Sequence, residues 1–140
     1  MKLLTALKLA ADGMAAQRVR LNITSMNLAN ANTTRTLEGG PYRAKSVVFV
    51  AKPLKDFASS LDEALETVQV KEVVDDPSPF KEVYDPGHPD ADERGIVLYP
   101  NVNVMEEMVD MLSAAGAYQA NLTVISITKS MALKALDIVR

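Results

Sequence analysis

The sequence predicts an α+β protein, with long N- and C-terminal α-helices forming a coiled-coil layer and a small β-rich domain between them. The helices are predicted because apolar residues recur in alternating steps of three and four near both ends of the chain. The middle is predicted to be β-rich because Val-rich segments alternate with clusters of Pro, Gly and Asp. These patterns divide the chain into residues 1–35, 36–100 and 101–140.

The first helix is predicted by a narrow apolar seam that runs from near the N-terminus to about residue 28. Val19, Ile23 and Met26 widen the apolar stripe on one side of the seam. An ordinary amphipathic helix that faces its own domain accounts for this pattern equally well. The seam positions that we expect to contact another chain are Leu4, Leu7, Met14, Leu21 and Leu28.

The last helix has the more regular seam, which extends over about four heptads without a proline after Pro100. Lys129 interrupts it, either as a side chain that reaches water with a buried stem or as a residue that fixes the register. Gly116 either permits a close helix approach or is merely tolerated. The expected contact positions are Met108, Met111, Ala115, Tyr118, Leu122, Ile125 and Leu136.

The start of this helix has a capping sequence. Asn103 is a suitable N-cap, Glu106 stands three positions later in the capping-box place, and Glu107 adds favourable charge to the first turn. We therefore expect a helix from near Val104 to about residue 138. At 1.5 Å per residue it would be roughly 50 Å long, whereas a compact domain of this size has a radius of gyration of only ~14 Å. Two helices would leave part of the apolar stripe exposed, so a second chain is expected to cover it.

The stretch "NLANANTTRTLEGGPY", residues 27–42, predicts the exit from the first helix. Asn tolerates the left-handed backbone that ends helices, and Asn and Thr side chains bond nearby backbone groups in place of the helical ladder. Glycines and a proline then turn the chain. The predicted exit and hinge residues are Asn30, Asn32, Thr33, Gly39 and Gly40.

Three or four short strands are expected in the middle of the chain. Residues 43–51 and 66–74 have the composition of strands, and a third short strand is expected around Ile96 to Tyr99. The stretch between the first two, "KPLKDFASSLDEALE", predicts a loop or a single helical turn. Such a module is too small to have a large core of its own.

Composition and charge exclude several classes of function. The three segments have net charges of +4, −6 and −1, but the basic residues are dispersed and aromatic residues are only 5%, which argues against nucleic-acid binding. Cysteine is absent, which excludes disulfides and thiolate metal sites. No apolar run is long enough to span a membrane, and Lys8 and Asp12 interrupt any signal-peptide core, so no membrane insertion and no cleaved leader are expected.

Catalytic or metal chemistry has one candidate location, the cluster in "YDPGHPDADE". A calcium loop started at Asp90 would have Arg94 in a ligand position and no glutamate at the last position. A zinc site would lack a second histidine. Since His88 is the single histidine of the chain, the sequence offers little support for a catalytic serine with a histidine base beside it. We expect no catalytic residues, no metal and no cofactor.

The motifs in these segments resemble a known family. "NLANANTTRT" after an amphipathic N-terminal helix is similar to the motif near the start of bacterial flagellar axial proteins, and "NVNVMEEMVDMLSAAGAYQANLT" is similar to their closing helix. "EGGPYRAKSVVF" and "YDPGHPDADERGIVLYPNVNV" resemble the C-type basal-body rod proteins, which are proximal-rod subunits. The resemblance spans nearly the whole chain. Family members tend to have Arg in place of Gly116, so an ion pair between subunits at that point is not expected here.

The resemblance implies a structural subunit of the proximal rod, stacked helically into the drive shaft that crosses the periplasm. Its expected partners are copies of itself, other rod subunits, the basal-body adaptor and MS-ring proteins, and the flagellar type III export apparatus. The alternative from another class is a coiled-coil adaptor whose helices only dimerise and whose acidic β-domain binds a partner. A metal-dependent enzyme that uses the Asp/His loop is a remote third possibility.

Overall fold

The computed structural model describes residues 3–53 and 65–138 of the chain. Two long helices, α1 (Leu3–Ala29) and α2 (Val104–Ile138), precede and follow a β-rich middle region. This architecture confirms the predicted α+β class. The predicted start and end of α2 are also confirmed. The helix begins after a polar cap and continues this far because no proline interrupts its apolar repeat.

Helices α1 and α2 pack against each other in antiparallel directions. Arg20 forms an ion pair with Asp110 at 2.8 Å, and Gly13 lies against the side chain of Asn121, further along α2. With 35 residues against 27, α2 is the longer helix. Because Gly13 lies opposite Asn121, the start of α1 lies opposite about residue 131 of α2. The last turns of α2, which include the exposed Leu136, therefore extend beyond α1.

The residues through which the two helices contact each other stand one position earlier in the sequence than the residues of each predicted apolar seam. On α1 the contacts with α2 come from Gly13, Arg20 and Asn27, which are one heptad apart. One residue is 100° around a helix, so this line adjoins the predicted seam of Met14, Leu21 and Leu28 without coinciding with it. The corresponding heptad line on α2, one residue before its predicted seam, is Glu107, Ala114, Asn121 and Thr128.

Small and polar side chains therefore make the contact inside one chain. Ala10 and Thr24 on α1 and Ala114 and Thr128 on α2 are buried. Gly13 permits a close approach, since a Cβ atom added there would lie 2.9 Å from Nδ2 of Asn121. Gly116 has no such role, because an added Cβ would meet nothing within 4 Å among the described residues. The predicted Leu and Met seams lie beside this contact, and several of their side chains are half-buried there.

Four strands form two separate antiparallel pairs in the described middle region. Strand β1 (Lys45–Pro53) pairs with β2 (Glu66–Asp75), with Lys45 opposite Asp75 and an irregularity between Val48 and Phe49. Strand β3 (Lys81–Tyr84) pairs with β4 (Ile96–Tyr99). The predicted strands are confirmed within two residues. Strand β3 was not located from the sequence because four residues among prolines form too short a pattern. The segment expected to be a loop or helical turn is residues 52–66. Its ends are strand instead, with Lys52 and Pro53 in β1 and Glu66 in β2, and residues 54–64 lie outside the described residues.

The buried core lies at the junction between the helices and the strands. Tyr42, Ala44 and Val102 form a buried cluster, and Ala31 packs against it. Val97 is also fully buried. Strands β2 and β3 are exposed along most of their length. The core therefore joins the two segments that leave and re-enter the helical layer, and it does not fill the β-rich region itself.

Two glycine substitutions test the close contact between the helices. We expect Gly13→Val to lower the free energy of unfolding by about 2 kcal/mol, because the branched side chain overlaps Asn121. Gly116→Ala should raise it by up to about 1 kcal/mol, because it improves helix propensity without a clash. Urea denaturation followed by circular dichroism measures both values. Stabilisation of similar size in the two variants would contradict the proposed contact.

Candidate assembly interface

A buried asparagine connects both helices to the first strand. Asn27 is 1% exposed, and its Oδ1 accepts hydrogen bonds from the Tyr42 hydroxyl at 2.9 Å and from the Lys45 amide at 3.0 Å. Its Nδ2 donates to the Lys45 carbonyl and to Oε1 of Glu107, both at 2.8 Å. The Asn27 amide thus pairs with both peptide groups of Lys45, as a neighbouring strand would. We call these four residues, Asn27, Tyr42, Lys45 and Glu107, the junction cluster.

Burial changes the proton affinity of two groups in the junction cluster. Burial raises the pKa of Tyr42, so its hydroxyl keeps its proton and donates to Asn27. Burial also raises the pKa of Glu107, and the neighbouring carboxylates of Asp110 and Glu106 add to the increase, while the hydrogen bond from Asn27 opposes it. Glu107 is therefore a half-buried acid that is held mainly by a neutral amide.

A second asparagine connects the other side of the same strand start. Asn101, just before α2, accepts the Ala44 amide hydrogen at 2.8 Å and donates to the carbonyls of Asp76 and Ser78. Arg43 donates to the same two carbonyls and stacks on the Phe80 ring, 4.2 Å from its centroid. Asn27 and Asn101 together fix the start of β1 to the end of α1 and to the segment just before α2.

The predicted exit residues have different environments. The Met26 carbonyl near the end of α1 accepts hydrogen bonds from both the backbone amide and the side-chain amide of Asn30, and Oδ1 of Asn30 accepts from the Thr33 hydroxyl. Gly39 and Gly40 have φ angles of 89° and 77°, which favour glycine. Asn32 is exposed and makes no side-chain hydrogen bond among the described residues.

The predicted cap is only partly reciprocal. Oδ1 of Asn103 accepts the Met105 amide hydrogen at 3.2 Å, as an N-cap does. In the part of the chain that the structure describes, Glu106 makes no return bond to Asn103 and is exposed. The first-turn acid with a defined contact is instead Glu107, which faces α1.

The acidic loop between β3 and β4 stabilises the fold. Oδ2 of Asp90 accepts the Thr34 hydroxyl hydrogen at 2.8 Å and so connects this loop to the helix exit. Oδ1 of Asp92 accepts the amide hydrogens of Ile96 and Arg94, and these bonds lower the pKa of Asp92. Residues 3–53 and 65–138 contain no cluster of three or more residues arranged to hold a metal ion.

The predicted contact positions lie on the surface or half-buried in the isolated chain. Leu4, Met108, Ala115, Leu122 and Leu136 are exposed. The others are half-buried, namely Leu7, Met14, Leu21, Leu28, Met111, Tyr118 and Ile125. Three of them, Met14, Tyr118 and Ile125, line one shallow groove between the helices, with Ala11, Ala15 and Arg18 along the same groove.

Further large apolar side chains are exposed on α2 beside this seam. They cluster near its start and in its second half, and they are Met105, Val109, Leu112, Val124, Ile127, Met131 and Leu133. Soluble monomers rarely expose a contiguous apolar surface of this kind without a binding role. Neither helix is long and apolar enough over its described residues to cross a membrane.

The helical segments match two family models of flagellar basal-body rod proteins. Residues 7–35 match the family "Flagella basal body rod protein". Residues 93–138 match "Flagellar basal body rod FlgEFG protein C-terminal". The chain thus has the paired terminal segments of this class of protein.

Full-length comparisons narrow the class to one family. The chain is 42% identical to the flagellar basal-body rod protein FlgC of Borreliella burgdorferi, with 100% of this chain and 99% of the relative covered. It is 43% identical to FlgC of Salmonella typhimurium over 99% of this chain and 98% of the relative. With FlgC of Bacillus subtilis the identity is 40% over 95% of each chain. The chain belongs to the FlgC family of flagellar basal-body rod proteins.

The sequence analysis missed the residues that organise the junction. Asn27 was interpreted as part of the helix exit, Glu107 only as a favourable first-turn charge, and Asn101 was not singled out. A signal for Asn27 existed, because it continues the heptad line of Gly13 and Arg20 as a polar residue in an apolar helix. Nothing in the sequence pairs Asn101 with Ala44.

Asn27→Ala tests the junction cluster. We expect it to lower the free energy of unfolding by about 3 kcal/mol, because Tyr42, Lys45 and Glu107 would keep buried polar atoms without partners. Asn32→Ala, at an exposed position of the same motif, should change it by less than about 0.5 kcal/mol. Urea unfolding monitored by circular dichroism provides the comparison. Equal effects of the two changes would contradict this assignment.

Proposed function

We propose that this chain is a non-enzymatic structural subunit of the proximal rod of the bacterial flagellum. In this proposal the subunits stack helically into the drive shaft that transmits torque. The observation that carries the proposal is the apolar seam of α1 and α2, whose side chains stay exposed or half-buried when the helices pair within one chain. Family membership supports the same role. Burial of this surface against neighbouring subunits would contribute about 25 cal/mol per Å² of apolar area.

We further propose that residues 1–35 and 101–140 form an inner coiled-coil layer and that residues 36–100 form an outer domain. The heptad lines on α1 and α2 support this division, because each helix has one line for its own chain and an adjacent line free for others. The exposed polar strands support an outer position of the middle region, since little apolar surface there needs cover. Torque would then pass through many packed helices in parallel.

The proposed partners are copies of this chain, other rod subunits, and the basal-body adaptor and MS-ring proteins. We propose export through the flagellar type III apparatus without a cleaved signal peptide, and a final location in the rod that crosses the periplasm. The interrupted apolar character of the first residues supports the absence of a cleaved leader.

A coiled-coil adaptor is the alternative from another class. Its helices would bury their apolar seams in a dimer, which would be fully helical and would melt cooperatively at low protein concentration. A rod subunit would bury them only in the larger assembly. Circular dichroism and light scattering of the purified chain distinguish the two, and a stable dimer at low concentration would favour the adaptor.

Matched substitutions test the assembly seam. Leu122 is 42% exposed on α2 and Val83 is 44% exposed on β3, so neither Leu122→Asp nor Val83→Asp buries a charge in the isolated chain. We expect Leu122→Asp to abolish swimming through failed rod assembly, because the charge would be buried between subunits. Val83→Asp should leave swimming intact. Motility assays together with images of isolated basal bodies give the result, and normal swimming of the Leu122 variant would contradict the proposed seam.

A further inference from the structure

Strand β1 has an edge whose peptide groups are free beyond the junction cluster. The N–H and C=O of Lys45 bond to Asn27 and therefore point away from β2. Peptide groups of alternate residues in a strand point to the same edge, so those of Val47 also point away from β2. Among the described residues, no hydrogen bond reaches the peptide groups of Val47 from that side.

This free edge borders a cleft between β1 and the two helices. The cleft has a volume of about 380 Å³. Ile23 and Thr24 of α1 line one side, and Val47 and Phe49 of β1 line the other. Glu107 and the Arg20–Asp110 ion pair lie at the side nearest α2. The Asn27 side chain already bonds to the peptide groups of Lys45 in the way that a neighbouring strand residue would. An extended segment that entered the cleft could continue this pairing along β1.

The cleft is lined by two cations, Arg20 and Lys45, and by two carboxylates, Glu107 and Asp110. Arg20 is paired with Asp110 at 2.8 Å, and Lys45 is paired with Asp75 at 2.7 Å. Glu107 has no ion-pair partner among the described residues, and its hydrogen bond comes from a neutral amide. Burial raises the pKa of Glu107, as expected for a half-buried carboxylate that no neighbouring cation stabilises.

The opposite edge of the same sheet is protected in the usual way. Lys71 of β2 is the extra residue at the irregularity in the register, and it forms an ion pair with Glu72 at 3.2 Å. Bulges and charged side chains are common devices that prevent strand pairing at a sheet edge. The edge of β1 at Val47 and Phe49 has neither device.

We propose that this cleft binds an extended segment of another rod component, which adds a strand to β1 and brings a basic side chain to Glu107. Main-chain hydrogen bonds to Val47 would supply affinity, and the Glu107 carboxylate would supply selectivity for the cation. The inference rests on the proposed function for the identity of the partner. The cleft itself is defined by the chain alone.

Peptide binding to the full-length protein tests the inference. The probe is a fluorescent five-residue peptide of alternating threonine and valine with a central lysine, compared with a peptide that has a central glutamate and with one whose central amide is N-methylated. We expect measurable binding of the lysine peptide, about tenfold weaker binding of the glutamate peptide, and none of the methylated one. Nuclear magnetic resonance of the labelled protein should show the largest amide shift at Val47.

Two pairs of variants locate the binding site. Val47→Pro removes a donor that faces the cleft, and Val73→Pro removes the donor directly opposite, which faces the outer edge of β2, so both leave the β1–β2 hydrogen bonds in place. We expect the Val47 variant to lose binding and the Val73 variant to keep it. Glu107→Gln should weaken binding of the lysine peptide about tenfold, whereas Glu106→Gln, outside the cleft, should not.

Three results would overturn the inference: no binding of the lysine peptide, equal binding of the lysine and glutamate peptides, or the largest amide shift at Val73 instead of Val47. Circular dichroism identifies a proline variant that fails to fold. In that case the inference is tested by the binding of the methylated peptide and by the binding of the lysine peptide to the Glu107→Gln variant. Failed rod assembly by Leu122→Asp, combined with no peptide binding, would overturn the strand-addition site and leave the rod function standing.

Discussion

The buried side-chain amide of Asn27 is the constraint on which the rest of the structure depends. It contacts a helix, a strand and a loop at once through Glu107, Lys45 and Tyr42. Each of these partners would keep an unsatisfied polar atom without it, and a buried unsatisfied group costs about 1–3 kcal/mol. A larger apolar residue could fill the same space but could not pair with both peptide groups of Lys45. Polar complementarity, rather than apolar volume, therefore fixes the angle between the helical layer and the β-rich region.

On each helix, the line of residues that contacts the other helix lies one residue from the apolar line. Gly13, Arg20 and Asn27 face α2, and the apolar line beginning at Met14 lies next to them. The contact within the chain uses small and polar residues, so it requires little apolar area. The leucines and methionines of the adjacent line are half-buried or exposed in the single chain. This arrangement explains how a chain can fold its own helices together and still present an apolar surface to neighbours.

Much of the fold could be predicted from the sequence because its signals are local and periodic. The helix bounds follow from the heptad pattern and from Asn103, and the strands follow from alternating valines. The heptad pattern defined an apolar line on each helix but gave no indication that the adjacent line closes the chain on itself. Which line of each helix packs within the chain depends on the close approach at Gly13 and on the hydrogen bonds of Asn27 and Asn101, which are long-range contacts. No local rule connects Asn101 with Ala44, 57 residues earlier.

The extension of α2 beyond the start of α1 gives the folded subunit two unlike ends. At one end the helices are tied into the junction cluster. At the other, α2 continues past the described start of α1, with Leu133 and Leu136 exposed. A subunit whose two ends differ in this way can make head-to-tail contacts with its neighbours. Head-to-tail contacts that do not close into a ring generate an open filament. A head-to-tail assembly of such subunits would therefore be polar, with every subunit in the same orientation.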